Sequence, residues 1–344
     1  MLARLLSSFF LTTGIVFAGC IHNNRQRCSL ASELYPVNGS TLGAWTTSEV
    51  FERALPVDDK TFRSVEILPD TTRRVLEAPD GVVSLEAFYP NGSYNFGHTP
   101  RGEFSFYAPG PEVVDLTTAR EAVFGYTVLF PEGFDWAKGG KIPGLFGGRD
   151  FNGSLTCSGG RKAADCFSVR LMWRSGGIGE LYTYLPQFTI PGYEANEAQC
   201  HIPPYSECNP DYGNSVGRGA FNFTSGNRGT VAMRVLLNDA GVANGELEIW
   251  YKGDRVIRLD RVIIRDSCES RIRGLMMQTF FGGSNLTWAS PKDQYVYFSD
   301  FTVAITKKLD GDQCDSPRGN ITRVDADVNK RTEGGHELKE APQL

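Results

Sequence analysis

Two short segments carry residues that could do chemistry together. In Cys166-Phe167-Ser168-Val169-Arg170-Leu171, strand alternation puts Ser168 and Arg170 on one side and Phe167, Val169 and Leu171 on the other. In Glu180-Leu181-Tyr182-Thr183-Tyr184-Leu185 it sets Tyr182 and Tyr184 opposite Leu181, Thr183 and Leu185. The stretch between them, Arg174-Ser175-Gly176-Gly177-Ile178-Gly179, reads as a hairpin turn. Pairing centred on Gly176 sets Arg170 across from Tyr182 and Ser168 across from Tyr184, at the ~4.5–5.5 Å Cβ spacing of cross-strand partners. A guanidinium, a hydroxyl and two phenols then share one patch, which a one-residue slip would dissolve. A phenol, with a pKa of ~10, needs a neighbouring cation before it can act as a base, and a tyrosine facing Arg170 is placed to receive that shift. The same spacing also suits an ordinary aromatic sheet face with arginine stacked on tyrosine.

Upstream, Gly139-Gly140-Lys141-Ile142-Pro143-Gly144-Leu145-Phe146-Gly147-Gly148 surrounds one lysine with glycines that permit close backbone approach. Its order does not match a P-loop. Lys141 can project from it into a groove. Other motifs carry less. Gly213-Asn214-Ser215-Val216-Gly217 has the GxSxG form, but its flanks are turn-like and the one later histidine, His336, lies in a polar tail, so it reads as a glycine-rich loop. His22, His98, His201 and His336 form no HxH or HExxH spacing, and no CxxC pair exists, so no metal centre is expected. His98, in Gly97-His98-Thr99-Pro100-Arg101-Gly102, belongs to a loop that either faces a substrate or is plain surface. The ExDxxE strand signature of one jelly-roll glycosidase group is absent. Glu246 and Glu248 share a strand face beside a turn and read as solvated.

These segments need strands to hold them, and the chain supplies strands. Its 344 residues are 41% hydrophobic and 22% charged, enough for a large core and too apolar for wholesale disorder. The 38 Gly, 22 Phe, 13 Tyr and 18 Pro favour strands and turns over helices. Short apolar or alternating stretches recur at 83–89, 103–107, 122–130, 167–173, 181–185, 230–237, 246–251, 256–264 and 295–305, with Gly, Pro, Asn and Asp between them. Residues 245–256 read as strand, Lys-Gly-Asp turn and strand. Many strands without alternating helices predict an all-β fold: one antiparallel sandwich or jelly roll over 46–314. Residues 19–45 read as an irregular arm and 315–344 as a disordered polar tail. The net charge of −5 argues against a nucleic-acid surface.

Residues 1–18 have the layout of a secretory signal: Arg4, an apolar stretch, then Val16-Phe17-Ala18 before Gly19. Phe17-Ala18-Gly19-Cys20 also faintly resembles a bacterial lipoprotein box. No other segment is apolar for long enough to span a membrane, so a soluble secreted monomer is expected. Sequons at Asn38, Asn91, Asn152, Asn222, Asn285 and Asn320 fit an extracellular glycoprotein. Eight cysteines allow up to four disulfides, for which Cys157–Cys166 and Cys200–Cys208 are the short-range pairs, leaving Cys268–Cys314 and Cys20–Cys28.

Taken together, Gly139–Gly148, the Ser168-Val169-Arg170 strand and the Tyr182-Thr183-Tyr184 strand resemble polysaccharide lyase family 14, the jelly-roll alginate and glucuronan lyases. The stretches 278–284 (QTFFGGS) and 297–303 (YFSDFTV) support the resemblance, which spans roughly residues 80–305. The Gln-Ile-His and YxKxGxYxQ strands of another jelly-roll alginate lyase family do not occur; a fungal glucuronan lyase family sharing the fold is a neighbouring possibility. The resemblance implies β-elimination on a 1,4-linked polyuronate, with Lys141, Ser168, Arg170, Tyr182 and Tyr184 on active-site positions and no cofactor. Arg149 and Gln278, like His98, become candidate substrate contacts. Elimination removes the weakly acidic C5 proton, so cations such as Arg170 and Lys141 must stabilise charge growing on the C6 carboxylate. Tyr182 and Tyr184 form an unordered base and acid pair, with Lys141 the rival base if burial lowers its pKa. The rivals are a non-catalytic carbohydrate-binding sandwich, and a glycoside hydrolase lacking its carboxylate signature.

Overall fold

All nine stretches expected to be strands are strands in the computed structural model, which describes residues 25–161 and 163–310. In chain order the strands are β1 (Gly43–Thr46), β2 (Arg74–Glu77), β3 (Val83–Tyr89), β4 (Ser105–Ala108), β5 (Ala119–Leu129), β6 (Gly139–Gly148), β7 (Cys166–Arg174) and β8 (Ile178–Tyr184). There follow β9 (Asn214–Asn222), β10 (Arg228–Leu236), β11 (Gly245–Tyr251), β12 (Asp254–Val262), β13 (Arg271–Gln278), β14 (Phe280–Phe281) and β15 (Gln294–Lys308). One sheet runs β12-β11-β10-β5-β15-β3-β2, with β1 also on β15; the other runs β4-β13-β6-β7-β8-β9, with β14 also on β6. Every pairing between these strands is antiparallel.

The core is the apolar face of each sheet turned inward. Phe124, Val128, Val231 and Met233 from the first sheet meet Leu145, Val169, Leu171 and Leu181 from the second. At one end Phe130, Phe134, Trp173, Tyr89 and Phe281 pack largely edge to face. The β11–β12 hairpin turns where expected, with Lys252 and Gly253 both at positive φ (52° and 83°), as a two-residue turn requires.

Several sequence expectations change. The segment read as an irregular arm contains helix α1 (Arg25–Leu34) and β1, because the helix packs on β5 and β10 while β1 extends the sheet beside β15. The GxSxG stretch is not a loop but the start of β9. Glu246 and Glu248 are not merely solvated: Arg234 reaches both, at 2.8 and 3.0 Å, and also Glu121 at 2.6 Å, and Glu248 is buried.

Cys157–Cys166 and Cys200–Cys208 are disulfides. Cys20, Cys314, Asn320, His22, His336, the signal-like segment and the tail lie outside the described residues. The other five sequon asparagines are exposed. Among the described residues no helix is long and apolar enough to cross a membrane.

Candidate functional site

The β7–β8 hairpin has the register its alternation and Gly-Gly turn demand: Arg170 pairs with Tyr182 and Ser168 with Tyr184. Gly176 and Gly177, at φ 72° and 83°, make the turn. Because Phe167, Val169 and Leu171 face the core, the polar set lies on the outer face of the second sheet. A bulge brings Lys141 to that face. Lys141 pairs with Met172 and Ile142 with Leu171, but the next pair is Leu145 with Val169, so Pro143 and Gly144 together oppose Arg170. The extra residue restores the in–out phase, leaving Ile142 and Leu145 inside and Lys141 and Phe146 outside. Proline, lacking an N–H, suits a bulge, and its carbonyl accepts from the Tyr126 hydroxyl at 3.0 Å. Gly144 is required there: a Cβ would sit 2.0 Å from the Val169 carbonyl oxygen.

On this face opens a cleft of about 380 Å³, lined among others by Lys141, Met172, Arg174, Tyr182, Arg218 and Trp288. Lys141 Nζ lies 4.7 Å from the centre of the Tyr182 ring and 5.2 Å from that of Phe280. Tyr184 opens instead onto an adjoining cavity of about 200 Å³, across the wall formed by Asn209, Tyr212 and Gly213. Its hydroxyl oxygen accepts from the Gly160 N–H at 3.0 Å, and from the Gly213 backbone and the Tyr182 hydroxyl. Gly213 leaves room for both rings; a Cβ would come within 2.6 Å of each.

Burial dominates the electrostatics. The Lys141 amine is pushed well below its ordinary 10.5 by burial first, then by the charges of Arg170 and Arg174. Burial holds the Tyr182 phenol well above 10, with Tyr184 adding to the rise and Arg174 opposing it. Burial also raises Tyr184, against its backbone donors Gly160 and Gly213. The expected lowering of a phenol by Arg170 therefore does not prevail, because desolvation outweighs the guanidinium's field. Arg170 itself is lowered to about 10 by burial. Among the described residues it has no ion pair with a carboxylate; its Nη1 and Nη2 contact the Gln278 side chain and carbonyl at 3.3 Å each, and its buried Nε has no partner.

The sequence candidates thus divide. Lys141 and Tyr182 line the cleft, and Tyr184 adjoins it. Arg170 stands behind the wall, its guanidinium 5.3 Å from the Phe280 ring centre, and Gln278 steadies it there rather than facing the opening. The Ser168 hydroxyl is buried and donates to the Cys157 carbonyl at 2.9 Å, fastening the disulfide loop to the sheet. His98 stacks on Tyr94 and hydrogen-bonds Asn95 Oδ1, away from the cleft lining. Arg149, at the far end of β6, is engaged by Asp266. Arg174, Arg218, Glu180 and Trp288 escaped the sequence reading. Carrying the same alternation further along each strand would have found Met172 and Arg174 on β7 and Glu180 on β8; nothing local marks Arg218 or Trp288.

A two-sheet antiparallel sandwich with an amine, a phenol and guanidiniums gathered in an outer-face cleft is the architecture of a β-jelly-roll polysaccharide lyase. Residues 78–301 match the polysaccharide lyase 14 family, and the chain belongs to it. It is similar to the marine PL-14 alginate lyase of Aplysia kurodai, at 28% identity over 78% of this chain and 100% of that one, with a TM-score of 0.64. An alginate lyase from a Chlorella virus shares the fold at 24% identity, over 71% of this chain and 93% of that one, with a TM-score of 0.57. No curated protein sequence matches the chain.

Proposed function

We propose that the protein cleaves a 1,4-linked polyuronate, alginate or glucuronan, by β-elimination, with Lys141 as base and Tyr182 as acid. The observation that carries this reading is an amine and a phenol side by side in one cleft, where burial lowers the amine's pKa well below its ordinary value and raises the phenol's. Neutral Lys141 takes the C5 proton. The electron pair forms the C4–C5 double bond, the C4–O4 bond breaks, and Tyr182 protonates the departing O4. No water is consumed. Charge growing on the C6 carboxylate meets Arg174 in the cleft wall and the field of Arg170 behind it. Arg170, a buried cation without a carboxylate partner among the described residues, gives the site an unmet demand for an anion. Tyr184 positions Tyr182 by accepting its hydrogen bond. The Aplysia relative is an alginate lyase, which supports an acidic polysaccharide as substrate. The signal-like start, exposed sequons and disulfides support an extracellular site of action.

Polymannuronate, polyguluronate and glucuronan, each incubated with the enzyme, test the reading. At least one should yield the ultraviolet-absorbing 4,5-unsaturated uronate. Flat traces on all three, or new reducing ends without absorbance, would overturn it.

A further inference from the structure

We infer that Arg218, held beside Arg174 by the buried Glu180, forms a carboxylate-binding position for the uronate next to the reacting one. The inference rests on the polyuronate-lyase reading above and extends it from one sugar to two.

Glu180 lies on the site face of β8, fully buried, and both its oxygens are saturated. Arg174 donates to Oε1 through Nε and Nη2 at 2.9 and 2.6 Å. Ser215 Oγ and Arg218 Nε donate to Oε2 at 2.6 and 2.7 Å. One carboxylate therefore pins two guanidiniums on its opposite sides, both lining the cleft. A buried acid is balanced by a single cation. Besides Glu180, the second guanidinium has among the described residues only one further carboxylate, at the rim of the cleft.

The rim candidate is weak. Glu207 reaches Arg218 Nη2 at 3.5 Å, with its side chain 46% exposed. Its loop is closed by Cys200–Cys208 and also supplies Tyr205, whose ring lies 5.0 Å from the Arg218 guanidinium. Glu207 thus marks the side of Arg218 from which a substrate carboxylate would approach, and it competes for that place.

Position assigns the two arginines different sugars. Arg174 is close enough to Lys141 for its charge to act on the amine, so it serves the reacting residue. Arg218 is on β9, one strand further from Lys141 than β8. A polyuronate crossing the strands from β6 toward β9 presents one carboxylate to Arg174 and the next to Arg218. Trp288, 5.8 Å from the Arg174 guanidinium, flanks the first position.

The test is KM and kcat for size-graded oligouronates with wild type, Arg218→Gln and Glu207→Gln. Arg218→Gln should raise KM about tenfold for oligomers long enough to reach it, with kcat moving less than about twofold, because a charge-assisted bond made equally in ground and transition states is lost. Glu207→Gln should lower KM by about two- to threefold, since a competing surface anion is gone. A purely structural role for the cluster would move the thermal midpoint of Arg218→Gln without altering the dependence of KM on length. That result, or an unchanged or higher KM in Glu207→Gln, overturns the inference. Glu207→Gln alone decides it if Arg218→Gln does not fold. A wild type that makes no unsaturated product from any polyuronate is a separate outcome, which removes the lyase reading and this inference with it.

Discussion

At the residue scale, the proposed mechanism turns on two side chains with opposed protonation preferences. Lys141 must be deprotonated to act as base and Tyr182 protonated to act as acid, and burial biases each the right way. The pH profile of kcat/KM should therefore rise through a pKa well below 10.5 and decline only well above 10. An acid limb unmoved by Lys141→Ala in the residual activity would contradict the assignment. Either Lys141→Ala or Tyr182→Phe should cost about a hundredfold or more in kcat. A second titration lies away from the cleft. Glu103 is almost fully buried, and burial raises it from 4.5 to about 7, against the Gly102 N–H that donates to it. Between those values the folded protein binds a proton the unfolded chain has released. The stabilisation is complete below 4.5 and is lost as pH rises through about 7, on the order of 3 kcal/mol in all. Glu103→Gln should flatten the stability–pH curve across that window, as read by urea midpoints; an unchanged slope would show another group responsible.

At the scale of elements, the site depends on a bulge, a hairpin and a stapled loop. Gly144→Ala forces a Cβ against the Val169 carbonyl and 2.7 Å from Arg170 Cα, so β6 and β7 must part. A loss of about 1–3 kcal/mol is expected by thermal melting, with a fall in kcat as Lys141 shifts from Tyr182. The Cys157–Cys166 loop gives Tyr184 the Gly160 N–H and takes the Ser168 hydroxyl. Replacing both cysteines by alanine should cost about 2–3 kcal/mol for a loop this short and lower kcat as well; a thermal midpoint equal to wild type would show the staple idle. The hairpin was legible because alternation and two turn glycines leave one register. The bulge was not. Glycine and proline around Lys141 announced an irregularity, but only pairing with β7 reveals which residue is extra. β9 was hidden for a related reason: its glycines erase the alternation that marks a strand.

For the whole molecule, two sheets bury one face against each other and leave the outer face of β6, β7, β8 and β9 to carry polar groups. Composition and repeated short strands sufficed to read that sandwich, since they report burial, which is a property of each strand. Long-range assembly was not legible. Arg218 and Trp288 come from distant stretches, and Arg174 sat in what read as a turn, so their convergence around Lys141 and Tyr182 is a product of the fold. The same limit put Ser168 and Arg170 in one patch with the two phenols, when Ser168 fastens a loop and Arg170 stands behind the cleft wall. What remains most exposed is the claim that the bond breaks by elimination. Digesting the preferred polyuronate in heavy-oxygen water and weighing the products by mass spectrometry tests it directly. The account predicts new chain ends that carry no heavy oxygen, with fragment masses that sum to that of the parent. Fragments that gain the label and the mass of one water would contradict it.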